Sequence, residues 1–523
     1  MPPIIATTSQ GARDQPYDRN SRVYILALVT SMGAFLFGYD LAFIGTSIEL
    51  APFQKDFGLD GASDPEKNAF SANIVSLLQA GCFFGSLAAA PVGDKLGRRP
   101  ALGLGAIAFI VGSVMQTASA GNKPVMFVGR AIGGIGVGFA SMLVPLYTAE
   151  CAPPKIRGRL VGIYEIGVQV GTCMGFWINF GVDRNMPPTS AQWMTPFALQ
   201  LIPAGLLLIG LLFMTDSPRW IAKAYGRTRA VKTLSRLRDL PIHHPAVQEE
   251  VTDILLQLEI ERSDGFGNTR AAWKELMRPG LRNRVLLGVL IMIFFQMCGS
   301  NAINYYSPRI FESIGLVGTE TSLISTGIYG IIRLVAVFVA MYFVVDRFGR
   351  KPMLIGGSFV IAISMWLIGV FVKLQGTNTD ASKLLGASPY VAAVFIFVFA
   401  VAFCFSWAGV PWVVCSEIYP LRVRGLCVSI CVATHWLFNF VIARSVPYML
   451  SNIGYGTYFV FAACTTLAIP FVWFMVPETK GMKLEEVDAL FDGRGLIPRR
   501  RQSLARANEA GEQKAVVEQI ERV

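Results

Sequence analysis

Twelve apolar stretches follow one another along this chain, each about 20 residues or longer, at roughly 22–48, 70–91, 101–119, 124–148, 160–181, 196–214, 284–313, 321–345, 353–374, 389–415, 425–450 and 457–476. No other feature restricts the fold so tightly. A run of this length crosses the hydrocarbon core of a bilayer. There, every backbone N–H and C=O must find its partner inside the protein. The spans are therefore helices, and the expected class is an all-α integral membrane protein. Composition agrees: 15% of residues are charged, against about 25% in soluble domains. That balance excludes a disordered chain and a disulfide-stapled secreted domain. The nine cysteines form no CxxC pair and the histidines number three, so neither disulfides nor a metal centre is expected. No cofactor is expected beyond a proton as coupling ion.

The excess of 46 basic over 35 acidic residues is unevenly placed. Lys95, Arg98, Arg99, Lys155, Arg157, Arg159, Arg347, Arg350, Lys351, Arg422 and Arg424 occupy alternate short loops, and 216–283 holds many more. The opposite loops are poor in Lys and Arg, and 49–69 is acidic. Basic loops stay on the cytoplasmic side. The expectation is a multi-pass plasma-membrane protein, with no cleaved leader and with both termini and the 216–283 loop cytoplasmic. Orientation accounts for the basic balance, so no nucleic-acid partner is expected. The chain divides into a tail (1–21), a six-helix bundle (22–215), a linker with short helices (216–283), a second six-helix bundle (284–476) and a tail (477–523) that is basic at Arg499–Arg501.

Three signatures occur twice. Asp94-Lys-Leu-Gly-Arg-Arg99 returns as Asp346-Arg-Phe-Gly-Arg-Lys351. Glu150 with Arg157-Gly158 returns, at the same spacing, as Glu417 with Arg424-Gly425. Asp216-Ser-Pro-Arg219 is echoed by Glu478-Thr-Lys480. The copies fall after spans 2, 4 and 6, then after spans 8, 10 and 12. Two similar bundles joined by a linker is the parallel-repeat plan of alternating-access transporters, with a site at the repeat interface near mid-membrane.

Gly-Arg130, Pro-x-Tyr147, Glu150, Arg157-Gly158, Asp-Ser-Pro-Arg-Trp220, Asn-Ala-Ile-Asn-Tyr-Tyr306 and Pro-Glu-Thr-Lys-Gly481 together closely resemble the sugar porter branch of the major facilitator superfamily, over roughly 22–492. Within it, Leu-Val-Gly-Ile-Tyr-Glu-Ile-Gly-Val-Gln-Val-Gly171 and Phe-Trp-Ile-Asn-Phe-Gly181 look like fungal quinate and uronate permeases more than hexose carriers. The resemblance implies a gating role for the charges at the helix ends: Asp94, Arg98, Arg99, Glu150, Arg157, Asp216, Arg219, Asp346, Arg350, Glu417, Arg424 and Glu478. Ion pairs between the two bundles would hold the cytoplasmic side shut. Each exposed pair contributes only about 0–1 kcal/mol, so a set of them makes a reversible latch. Ala90 departs from the Gly that usually opens the family motif. Gly129, Gly133, Gly134 and Gly138 on helix 4 are read as packing positions.

Asp40 and Arg130 lie inside spans 1 and 4, where ionisable groups are costly and either paired or functional. They form either a static buried pair or, as the resemblance implies, the proton acceptor of a symporter and its partner. Arg333 sits near the centre of span 8. It either pairs internally, with Glu165 a candidate, or receives a substrate carboxylate, for which the guanidinium fork is suited. Polar residues on apolar spans should face a cavity. Glu165, Gln169 and Thr172 share one face of helix 5. Gln296, Asn301, Asn304 and Tyr305 cluster on helix 7, Trp412 lies on helix 10, and His435, Trp436 and Asn439 lie on helix 11. This mixture suits a hydroxylated ring. By resemblance, Gln296, Asn301, Trp412 and Asn439 occupy sugar-contact positions. Phe295, Glu165 and His435 depart from the amides of hexose carriers.

The leading reading is a monomeric proton-coupled symporter of a monosaccharide or cyclic polyhydroxy acid of the quinate or galacturonate type. A facilitative hexose carrier and a non-transporting nutrient sensor remain as alternatives. The sequence shows no Gly-x-Ser-x-Gly, His-Glu-x-x-His or Walker motif, so an enzyme is not expected.

Overall fold

A computed structural model describes residues 21–153, 156–263, 275–315, 319–377, 388–420, 423–480 and 491. The terminal tails, with Arg499–Arg501, lie outside the described residues, as do the side chains of Arg157 and Asp346. The membrane helices are α1 (Ser21–Ile48), α2 (Asp64–Leu96), α3 (Arg98–Thr117), α4 (Lys123–Cys151), α5 (Arg157–Asn185), α6 (Ser190–Leu199 and Leu201–Phe213), α7 (Pro279–Met297 and Ser300–Ser313), α8 (Thr319–Val339), α9 (Arg350–Thr377), α10 (Ser388–Phe405 and Val410–Glu417), α11 (Arg424–Ile453) and α12 (Gly456–Met475).

Among the described residues, eleven helices are long and apolar enough to cross a membrane. The other, α5, matches α4 in length at 29 residues but carries Glu165 and Gln169 in mid-course, and these lower its mean hydropathy. Apolar side chains such as Leu206, Ile209, Leu212 and Phe213 stay exposed along the outer faces, as lipid contact requires.

The two halves repeat one another. In the first, α1 packs along α5 and α2 along α4, with α3 and α6 together at the outside; in the second, α7 meets α11, α8 meets α10, and α9 pairs with α12. Between halves, α2 lies against α11 and α5 against α8. Exchanging the halves turns one of these contacts into the other. The second segment of α7 rests on α1. There the backbones touch: a Cβ on Gly45 would run into the Tyr305 carbonyl. On α4, Gly134 and Gly138 press on the Leu78 and Cys82 carbonyls of α2, as expected of a packing stripe.

Further helices follow α6, at Pro218–Tyr225, Arg227–Arg238 and Pro245–Ser263, packed on one another through Leu234, Val247 and Val251. Their side of the protein is the linker face; the opposite side is the far face. Arg238 bonds both oxygens of Glu250 at 2.6 and 3.1 Å and donates to the Cys151 carbonyl at 2.8 Å. It thereby fastens the linker helices to the end of α4, where carbonyls lack helical partners.

Candidate functional site

At the linker face the repeated charges form two matching clusters. Arg98 donates Nε and Nη2 to the two oxygens of Glu150, both at 3.0 Å, and Nη1 to Asp94 at 2.7 Å. Asp216 Oδ1 accepts the backbone N–H groups of Arg98, Arg99 and Ser217. In the second half Arg350 Nη2 donates to Glu417 Oε1 at 3.0 Å, and Glu478 accepts the backbone N–H groups of Arg350 and Lys351, each at 3.1 Å. Asp216 and Glu478 thus cap the N-termini of α3 and α9, where unpaired N–H groups favour an anion. Gly97 (φ 105°) and Gly349 (φ 86°) precede these helices in the backbone region that favours glycine. A Cβ at either would strike the capping carboxylate. Burial pushes the Asp216 carboxyl above its ordinary range, and the N–H bonds pull it back.

This corrects the expected geometry. Among the described residues, these pairs join helices within one half, not across the two. Arg98 and Arg350 are drawn to carboxylates on their own bundle because the repeat brings both members of each pair to the same side of the same bundle. Arg424 donates to the Tyr419 carbonyl, at 3.0 Å from Nη2, and Arg219 lies on the helix Pro218–Tyr225.

Inside the membrane, Asp40 and Arg130 meet as expected. Arg130 Nη1 donates to Asp40 Oδ1 at 2.5 Å and Nε donates to the Ile74 carbonyl at 2.9 Å; both side chains are buried. Asp40 Oδ2 and Arg130 Nη2 have no hydrogen-bond partner among the described residues. The pair is held by one strong contact and is incompletely satisfied, a costly arrangement for buried ions.

A continuous string of hydrogen bonds crosses the centre of the protein. α7 breaks at Cys298–Gly299, with Gly299 at φ 87°, and the break turns Gln296 and Asn301 toward each other. Gln296 Nε2 lies 3.2 Å from each ring nitrogen of His435. Gln296 Oε1 accepts from Asn301 Nδ2 at 2.8 Å, and Asn301 Oδ1 accepts from Asn304 Nδ2 at 3.3 Å. Arg333 Nη1 donates to Asn304 Oδ1, Ser300 Oγ and Tyr329 OH at 3.2, 2.7 and 3.0 Å. Arg333 Nε donates across the interface to Gln169 Oε1 at 3.1 Å, and Gln169 Nε2 donates to Glu165 Oε1 at 3.0 Å. Arg333 and Glu165 therefore do not pair directly. Their distance along α5 and α8 leaves room for the Gln169 amide, which bonds to both.

Aromatic rings wall one end of this string. The His435 ring lies 4.8 Å from Phe295 and 5.0 Å from Trp412, and the Arg333 guanidinium lies 5.5 Å from the Phe403 ring. Trp436 turns away: buried, it donates to Ser141 Oγ of α4 at 3.1 Å. Thr172 also leaves the expected cavity face; its hydroxyl bonds to the Gly38 and Val168 carbonyls. Tyr305 and Asn439 form a separate group, with Tyr305 OH donating to Asn439 Oδ1 at 3.1 Å and accepting from Gln79 Nε2 at 2.5 Å. Sequence reading missed Gln79, Ser300 and Tyr329. Tyr329 stands one turn before Arg333, a spacing that places the two side by side.

Toward the far face, polar bonds stitch the halves together. Arg309 of α7 bonds Glu49, Asn68 and Ser71 at 2.6, 3.2 and 3.1 Å. Asn68 bonds Ser451 at 2.8 Å, and Arg444 bonds Asn73. Of these residues the sequence had marked only Glu49, as part of the acidic 49–69 loop.

Residues 26–491 match the family described as "Sugar (and other) transporter". The quinate permease of Emericella nidulans is 42% identical over 489 residues, covering 92% of this chain and 91% of that protein. The probable quinate permease of Aspergillus terreus is 40% identical over 519 residues, covering 96% and 95%. Among solved structures, the proton:xylose symporter XylE bound to 6-bromo-6-deoxy-D-glucose superposes with a TM-score of 0.75 at 30% identity, covering 90% of this chain and 99% of that one. The inward-open xylose transporter XylE from E. coli gives 0.72 at 29% identity, covering 90% and 100%.

Proposed function

This chain belongs to the sugar transporter family, and from that premise we propose that it imports a cyclic polyhydroxy acid of the quinate type together with protons. The observation that carries the substrate assignment is Arg333. It is buried, its Nε and Nη1 are taken by neutral acceptors, and its Nη2 has no hydrogen-bond partner among the described residues. A guanidinium with a free N–H and no direct counter-ion is a ready donor to a carboxylate. The amides and hydroxyls beside it supply donors and acceptors for ring hydroxyls. Phe295, Trp412 and His435 give the ring's C–H faces an apolar wall. The quinate permease relatives support the same class.

Coupling is assigned to Asp40 and Arg130. When the pair is intact the carboxylate is held by its cation; when helix movement parts the two, Asp40 is a buried lone carboxylate and takes a proton. The symporter likeness supports this reading. The linker face is cytoplasmic by the placement of basic loops, the membrane is the plasma membrane, and the monomer is the working unit. The clasp of Arg309, Arg444 and Asn68 then closes the outer side and must part for substrate to enter.

The test is uptake of labelled quinate into proteoliposomes at two external pH values, with quinate, galacturonate and glucose as competitors. Quinate should compete best, and an inward proton gradient should drive accumulation. Strong inhibition by glucose alone overturns the acid assignment.

A further inference from the structure

Glu165 is a carboxylate in a site that accepts an anion, and it has no role in what precedes. The Gln169 amide between it and Arg333 has a fixed polarity. Its Oε1 is taken by the Arg333 Nε–H, so its Nε2 faces Glu165, which must accept. The Gln169 amide bonds one oxygen of Glu165, Oε1, and among the described residues the second oxygen makes no such bond. Without substrate, Glu165 is the negative charge that offsets Arg333, acting through one amide. A substrate carboxylate on Arg333 brings a second negative charge to the same cation. Two carboxylates sharing one guanidinium away from water are relieved when one of them takes a proton. The substrate's carboxylate is held by the guanidinium itself; Glu165 is the more distant, with an oxygen to spare.

We infer that Glu165 is a second proton-binding group, filled when the substrate's carboxylate docks on Arg333, so that an acid crosses with one proton more than Asp40 alone would carry. This rests on the acid reading above. The charges balance. Before docking, Arg333 is positive and Glu165 negative. Afterwards Arg333 is positive, the substrate negative and Glu165 neutral. The proton enters from the far-face water with the substrate and leaves with it at the linker face. Among the described residues, other titratable groups near Glu165 are few. Arg333 lies on α8, Cys404 on α10, and Tyr164 beside it on α5; on α1, Asp40 is engaged by Arg130. The two proton sites also answer different questions. Asp40 and its cation belong to one half, whereas the link from Glu165 to Arg333 crosses from α5 to α8 and reports the occupant of the pocket.

The experiment is the proton-to-quinate ratio from reversal potentials in proteoliposomes, with the pH profile of the quinate KM, for wild type, Glu165→Gln and Glu165→Asp. Wild type should move two protons per quinate, one for each carboxylate. Glu165→Gln should move one, and should lose about one tenfold step in KM per pH unit. Glu165→Asp should keep the ratio. An unchanged ratio and profile in Glu165→Gln overturns the assignment of Glu165 and leaves the acid reading intact. So does a wild-type ratio of one, which needs no variant to fold. A wild type that carries no quinate, galacturonate or other acid overturns the acid reading, and this inference with it.

Discussion

Arg333 and the Asp40–Arg130 pair stood out in the sequence because a charge inside an apolar run is costly and calls for a partner or a function. The structure brings Asp40 and Arg130 into contact and sets Arg333 among four neutral acceptors. Uncharged polar residues were harder to read. Thr172 and Gln79 look alike in sequence, since either can bond to a helix carbonyl or reach across a bundle. Thr172 does the first and Gln79 the second. Two outcomes belong to single residues. Asp40→Asn should abolish accumulation against a gradient while sparing exchange, measured by counterflow; an Asn variant that still concentrates substrate removes Asp40 from the coupling role. Arg333→Gln should raise the quinate KM by about 30-fold or more, the cost of leaving a carboxylate without its charged partner. Arg333→Lys should restore little, because an ammonium cannot serve Gln169, Asn304 and a carboxylate in one plane.

The helices themselves were legible from length and hydropathy, but their interruptions were not. α7 parts at Gly299 and departs from helical backbone again at Tyr306, and α10 parts between Phe405 and Val410. A Gly or Pro in an apolar span is compatible with a continuous helix, so only packing reveals where the chain yields. On the import reading proposed above, outer closure depends on the second segment of α7. It is pressed to α1 at Gly45, bonded to α2 through Gln79, and clasped by Arg309 on Glu49. Gly45→Val should therefore exclude this closed arrangement, and Arg309→Gln should loosen it. Both should raise the rate at which a cysteine placed at Asn304 is labelled by an impermeant maleimide from the far face. An unchanged rate in both variants would show that α7 is not the moving seal.

At the scale of the whole protein the duplicated signatures gave the plan of two bundles, and the family match and the XylE likeness agree with it. Among the described residues, the ion pairs of Arg98 and Arg350 stay within a bundle instead of joining the two, because sequence spacing places residues at a membrane depth and not on a side of a bundle. Glu150 serves Arg98 and Glu417 serves Arg350, each inside its own half. Glu150→Gln and Glu417→Gln should each slow turnover with little change in quinate affinity, and in the double variant the losses should add, as they do for sites without shared partners. A large departure from additivity in transport rate would mean the clusters communicate across the interface after all.

The repeat is also uneven, and that has a consequence for descent. Helix-end clusters exist in two copies, whereas Asp40, Arg130, Glu165 and Arg333 each occur once, without a counterpart in the other half. Mechanical parts inherited in duplicate can stay fixed while the unpaired ones drift. A new cargo, or a new ion ratio, then needs only a few changes near the middle of the membrane and no redesign of the hinge.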